Sequence, residues 1–185
     1  ISSYHFNIDR PAACSRKEIF TNSRLFEDTA AGTIAGEGVL MMMVSNEPAG
    51  AIAKLNALQT IHTNDEWLVK ETAEKFLLRN GFPGEKIDLL ITGENGDARL
   101  EKYYQQIESL FSGETSIARF KHLSGEYCTA SSFGFWLATE ILRTGRIPEI
   151  VLKRKGRAPV RRIFIYNNYR GLQHAFMILS VPKTR

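Results

Sequence analysis

The sequence predicts a layered α/β domain with a mixed sheet. Strand-like apolar runs alternate with helical stretches along the chain, the pattern that places helices over a sheet. The last two strands are close enough to pair as a hairpin, whereas strands joined through helices run parallel. The length of 185 residues, 43% of them hydrophobic, suits one core burying about 70% of the unfolded surface. Such apolar content excludes a disordered chain, and 14 Gly with 6 Pro exclude a collagen-like or low-complexity one. The expected order is β-β-α-β-α-β-α-β-β, with an irregular segment at 1–30, a domain at 31–185, and neither repeat nor splitting linker.

The first strand is expected at 39–44, where Val39-Leu40-Met41-Met42-Met43-Val44 follows a Gly-rich turn and reads as buried on both faces, its methionines filling core. A half-alternating second strand follows Gly50, at 51–58. Asn64 and Asp65 open a helix whose Trp67, Leu68, Thr72, Phe76 and Leu77 recur at helical spacing until Asn80-Gly81. A buried strand at 87–92 leads through Gly93-Glu94-Asn95-Gly96 to Asp97, placed to N-cap a helix carrying Leu100, Tyr103, Tyr104, Ile107 and Phe111 on one face. A strand at 117–120 precedes a helix at 129–143, whose Ala130, Ser131, Ser132 and Gly134 permit close packing and whose end is marked by Arg143 and Gly145. Strands at 161–166 and 174–181 close the chain.

Net charge is +4, yet Lys153, Arg154, Lys155, Arg157, Arg161 and Arg162 supply six cations, so the remainder carries −2. That segment reads either as a solvated loop entering a strand or as a docking patch for an acidic partner. Nucleic acid is disfavoured as that partner, because no aromatic residue stands among the cations to stack on bases. No apolar run approaches the roughly 20 residues of a membrane span, and the two cysteines, Cys14 and Cys128, suggest no disulfide framework, so a reducing cytoplasm is the expected compartment. The four histidines lack metal-ligand spacing, and Gly32, Gly36 and Gly38 lack the Lys-Ser/Thr of a phosphate loop; neither metal nor cofactor is expected. Cys128, ahead of a helix, reads as a buried structural thiol or as one acidified by the helix dipole.

Residues 31–39, residues 96–101, residues 121–126 with Ala130 and 145–148, and residues 167–171 are four stretches that in this order resemble the second half of a β-ketoacyl synthase of the thiolase superfamily. Residues 31–39, Ala-Gly-Thr-Ile-Ala-Gly-Glu-Gly-Val, are similar to the family's Asp-Gly-Phe-x-x-Gly-Glu-Gly-Ala segment. Gly96-Asp97-Ala98-Arg99-Leu100-Glu101 resembles its Gly-Asp-x-x-Glu helix start. Lys121-His122-Leu123-Ser124-Gly125-Glu126, with Ala130 and Gly145-Arg146-Ile147-Pro148, resembles its Lys-Ser-x-x-Gly-His motif, small-residue helix and Gly-x-Ile-Pro exit. Asn167-Asn168-Tyr169-Arg170-Gly171 stands where the family has a glycine-rich loop between its last two strands. The resemblance implies a thiolase-like layered fold, of which this chain is one β-α-β-α-β repeat.

The departures bear on activity. The family's nucleophilic Cys belongs to the other half. Its first catalytic His is missing from Leu90-Ile91-Thr92-Gly93-Glu94-Asn95, and Glu126 occupies the second His position; Lys121 alone persists from the catalytic set, and Arg170 and Leu172 intrude on the loop. In the family, imidazoles donate hydrogen bonds to a nascent enolate. A carboxylate about 4 Å away opposes that charge by about 4 kcal/mol at an effective dielectric of 20, roughly a thousandfold in rate. Only a protonated Glu126 could donate, and Lys121 favours its ionised form; a structural Lys121–Glu126 ion pair is the simpler expectation. The resemblance therefore implies a half-synthase without condensing activity of its own, acting like a chain-length factor. Its implied partners are the N-terminal half, a condensing subunit in a homo- or heterodimer, and an acyl carrier protein. An active acyltransferase drawing its Cys from the other half, and a basic binding module, are the alternatives.

Overall fold

The computed structural model describes residues 25–27, 31–47 and 49–182. The irregular segment expected at 1–30 thus lies, apart from Leu25–Glu27, outside the described residues, as do Cys14 and His5. In chain order the elements are β1 (Lys54–His62), α1 (Glu66–Arg79), a 3-10 turn (Gly84–Lys86), β2 (Leu89–Thr92), α2 (Glu101–Glu108), β3 (Ser116–Arg119) and the single-turn α3 (Lys121–Ser124). They continue with α4 (Ser131–Thr144), a second 3-10 turn (Glu149–Val151), β4 (Leu152–Arg154), β5 (Arg162–Tyr169) and β6 (Gln173–Ser180). The strands form one mixed sheet in the order β1-β6-β5-β2-β3-β4. Central β2 runs parallel to both β3 and β5, and the outer pairings are antiparallel.

Alternation along the strands divides the core into two layers. Leu90, Ile117, Phe164, Tyr166 and Phe176 face α1 and α2, meeting Val69, Phe76, Tyr104, Ile107 and Phe111. Leu89, Ile91, Ala118, Ile163 and Ile165 face α4, meeting Leu137, Ala138 and Ile141. Strand β2 is buried at every position, which is why its sequence is an unbroken apolar run ending in Thr92. Asp65 caps α1 by accepting from the backbone N–H of Trp67 at 2.9 Å and Leu68 at 3.2 Å, and Gly145 ends α4 in the left-handed conformation.

Several expectations are corrected. Residues 39–44 form neither helix nor strand, and Met41 and Met43 are 91% and 99% exposed, because among the described residues no strand lies beside them. In α1 the buried face is Val69, Ala73, Phe76 and Leu77, while Trp67 and Leu68 in the first turn are exposed. Asp97 does not cap α2: it accepts from the Arg99 N–H at 3.0 Å, closing the turn before a helix whose N-cap is Leu100. A strand missing from the sequence reading, β4, pairs with β3 through Leu152–Arg154, at the start of the cationic segment read as a loop. Cys128 is exposed rather than buried.

The β5–β6 connection, Arg170-Gly171-Leu172, holds a turn whose central residues Arg170 and Gly171 have φ of 59° and 67°, with the Leu172 N–H donating to the Tyr169 carbonyl at 3.1 Å. Both positive φ values match the turn type that Asn-Gly serves best. Arg170 is the single non-glycine residue at positive φ among the described residues. Arg170→Asn is expected to raise the unfolding free energy by roughly 0.5–1 kcal/mol in urea titrations, through relief of that strain.

Candidate functional site

The loops after the carboxyl ends of β2 and β3 converge beside residues 32–36 and build a buried polar cluster around Glu126. Lys121 opens α3 two residues after the end of β3, and four residues later Gly125 turns the chain so that Glu126 lies against residues 34–36. The Glu126 N–H donates to the Ile34 carbonyl at 2.8 Å, and the Gly36 N–H donates to the Glu126 carbonyl at 3.1 Å. Lys121, fully buried, donates from Nζ to Glu126 Oε1. Asn95, on the loop leaving β2, donates from Nδ2 to Glu126 Oε2 at 2.9 Å. Its Oδ1 accepts from the Asp97 N–H at 3.1 Å, and its carbonyl accepts from Thr33 Oγ1 at 2.5 Å. Burial pushes the Lys121 ammonium below its ordinary value, and the Glu126 carboxylate pulls it part of the way back.

Further groups border the cluster. Tyr104, on α2, donates from its hydroxyl to the Gly93 carbonyl at 2.7 Å, and burial holds its phenol well above the usual range, so it stays protonated. Asn167 lies so close to Gly93 that a side chain there would overlap it, and its Oδ1 is buried without a hydrogen-bond partner. Tyr169 stands with its hydroxyl 3.9 Å from the exposed Cys128 Sγ.

The sequence reading selected Lys121 and Glu126, and the structure brings them together. It missed Asn95 and Thr33. The available signal for Asn95 was its place in the very stretch from which the first His is absent, just past the end of a buried strand. Among the described residues no histidine hydrogen-bonds to Lys121, Glu126 or Asn95. His122 Nε2 lies 2.8 Å from the Ile150 carbonyl oxygen, and His174 bridges Thr63 and Tyr166. Among the described residues no group of three His, Cys, Asp or Glu is placed to hold a metal, and no helix is long and apolar enough to cross a membrane.

The cationic candidates divide. Lys153 bridges Glu94 and Glu108, each at 2.8 Å, and Arg119 shares Glu94 at 3.1 Å. Arg154 donates to the Ser112 and Thr115 carbonyls. Asp88 gathers three more: it accepts from Arg157 Nε and from the backbone N–H groups of Arg161 and Arg162. These contacts tie much of the segment to its own domain, and the side chains of Lys155, Arg161 and Arg162 are exposed.

The His174 geometry makes stability depend on pH. Nε2 is 3.0 Å from the Thr63 carbonyl oxygen and therefore donates, which leaves Nδ1 to accept from the Tyr166 hydroxyl at 2.9 Å. Protonation removes that acceptor, and burial lowers the pKa of His174, as it does that of His122. A folded-state value below the unfolded value of about 6.5 means that the unfolded chain binds more protons, so stability falls as pH drops through that value. Thermal unfolding midpoints are expected to decline from about pH 7 to about pH 5, with a shallower decline in His174→Gln.

No family sequence profile and no curated protein matches the chain. Solved structures do, at the level of the fold. The chain is similar to the oxazolomycin ketosynthase domain of Streptomyces albus (TM-score 0.59, 13% identity, 72% of this chain and 47% of that one). It is similar to the ishigamide ketosynthase/chain length factor (TM-score 0.60, 15% identity, 70% and 38%). It is also similar to a type II polyketide synthase ketosynthase solved with its acyl carrier protein and a bound hexaketide (TM-score 0.59, 8% identity, 70% and 38%). The fold is thus thiolase-like, of the ketosynthase type, and the chain spans less than half the length of these structures.

Proposed function

We propose that residues 31–185 are the C-terminal half of a β-ketoacyl synthase-like protein that does not condense acyl groups by itself and serves as a chain-length-factor-like partner of an active condensing subunit. The observation that carries this reading is the mutual closure of Lys121, Glu126 and Asn95. Glu126 and the loop bearing Asn95 occupy the positions that the resemblance assigns to imidazole donors. Here the Asn95 amide donates to a carboxylate instead of being held free for an oxyanion. A buried negative charge at that point opposes an enolate, and the donor that could offset it is already engaged. The ketosynthase/chain length factor among the similar structures, and the ketosynthase solved with its acyl carrier protein, support partners of the same classes for this chain. The exposed Lys155, Arg161 and Arg162 are candidates for meeting an acidic carrier.

The purified protein, offered acyl- and malonyl-carrier-protein thioesters, is expected to release no carbon dioxide and form no β-ketoacyl product until a condensing subunit is added. Turnover without a partner overturns the proposal. If turnover occurs and Glu126→Gln abolishes it, the reading passes to an active acyltransferase using Glu126.

A further inference from the structure

We propose that His174 is a proton-operated latch at the end of the sheet that carries the Glu126 cluster, closed while its imidazole is neutral and opened locally when the ring is charged. The proposal stands apart from the functional reading above. The β5–β6 turn follows the carboxyl end of β5, which runs parallel to β2, so it lies at the same end of the sheet as the loops around Glu126. Ahead of the turn is Tyr169, whose hydroxyl is 3.9 Å from the Cys128 Sγ. Two chain connections meet there. The Thr63 N–H, between β1 and α1, donates to the Leu172 carbonyl at 2.8 Å, and the Thr63 carbonyl accepts from His174 Nε2 at 3.0 Å. From α2, the Tyr103 hydroxyl donates to the Asn64 carbonyl at 2.8 Å. His174, 1% exposed, is the side chain that ties the β1–α1 connection to β6.

A second ring proton meets donors instead of acceptors. Nδ1 faces the Tyr166 hydroxyl, which already donates to it. Asn168, opposite His174 in the β5–β6 register, gives its Oδ1 to the Gly171 N–H and leaves its buried Nδ2 donor without a partner. The titratable groups that face the ring are Tyr166 from β5, Tyr103 from α2, with ring centroids 5.1 Å apart, and His62 from β1. Behind Tyr103 stands the Lys102 ammonium, 5.0 Å from the centre of its ring, and Arg170 adds a cation in the turn. The acids of this corner are engaged: Glu66 pairs with Lys102 at 2.9 Å, and Asp65 caps α1. Among the described residues no carboxylate hydrogen-bonds to His174. Burial already holds the ring below its ordinary value, against the pull of the backbone carbonyls. A buried cation without a counter-ion is released to water rather than kept, and the Thr63 carbonyl then loses its donor. Residues 62–64 and 170–172 part, while the centre of the sheet, whose core lies between α1, α2 and α4, stays closed.

Amide exchange followed residue by residue by NMR, from about pH 7 to about pH 5, tests this, each rate being corrected for the intrinsic rate of a free peptide. The open state takes up the proton with a pKa of about 6.5 and the closed state with a lower one, so opening grows as pH falls below about 6.5. Protection of the Thr63, Gly171 and Leu172 amides is therefore expected to drop by up to about tenfold per pH unit in that window, with the β2 and β3 amides unchanged. His174→Gln, whose side chain can donate to Thr63 and accept from Tyr166 without titrating, should abolish the dependence, and His62→Gln and His122→Gln should keep it. In the unaltered protein the His174 ring should carry its proton on Nε2 at neutral pH and titrate with a midpoint below about 6.5, a readout that needs no variant to fold. Constant protection at the three amides down to about pH 5 overturns the proposal, as does a ring midpoint at or above about 6.5. A loss shared equally by β2 and β3, which means global unfolding, also overturns it, and so does a loss that persists in His174→Gln.

Discussion

Glu126→Ala is expected to lower the unfolding free energy by roughly 3–5 kcal/mol, the usual cost of leaving one member of a buried ion pair without its partner. Lys121 has no exposed surface, so its ammonium cannot regain water without opening the fold. Asn95 Nδ2 loses its acceptor as well, adding an unsatisfied buried donor. Lys121→Met combined with Glu126→Leu should recover most of the loss, because removing both charges also removes the burden of desolvating them. Urea titration of the two single variants and the double variant measures the coupling directly. A loss below about 1 kcal/mol in Glu126→Ala would place the pair in contact with water and contradict the burial described above.

Gly125→Ala should be the next most damaging change. Gly125 has φ 68° and ψ −173°, a region that side-chain-bearing residues essentially do not enter, at a cost of order 1–3 kcal/mol. Its Cβ would also lie 2.6 Å from the Gly36 Cα, so backbone meets backbone and neither can yield cheaply. The crossing of residues 34–36 over Gly125-Glu126 would have to open, and the two hydrogen bonds made by the Glu126 and Gly36 amides would go with it. Besides a lower unfolding midpoint, limited proteolysis should show faster cleavage within residues 31–40 in this variant, whereas Gly113→Ala, where open space surrounds the Cβ, serves as the neutral control.

The sheet's centre was legible because burial on both faces leaves one signature: residues 87–92 read as a strand, and Leu89–Thr92 is one. The closing hairpin and the Asp65 and Gly145 caps were legible for equally local reasons. Strand β4 was hidden because edge positions tolerate lysine and arginine, and its charges are satisfied by Glu94, Glu108 and backbone carbonyls that only the fold brings near. Residues 39–44 carry the pattern of a buried strand but have no neighbouring strand among the described residues, so pattern and placement part company there. At the site, Lys121 and Glu126 are five residues apart and invite pairing on paper. Asn95 completes the cluster from 31 residues upstream, a juxtaposition set by β2 and β3 running side by side.

The pairing of β1 with β6 joins Lys54 to Ser180 and His62 to Gln173, so the sheet's first strand waits for its last. On a ribosome adding roughly 5–20 residues per second, that wait is on the order of ten seconds. Until then β1 lacks its partner strand, and Ala57 and Ile61, which pack against the core once the sheet closes, face water on a nascent chain already holding the complete α1 and β2. Sheet closure is therefore a late event relative to the synthesis of β1, governed by long-range encounter, and the interval before it is when this segment most needs a chaperone's shelter.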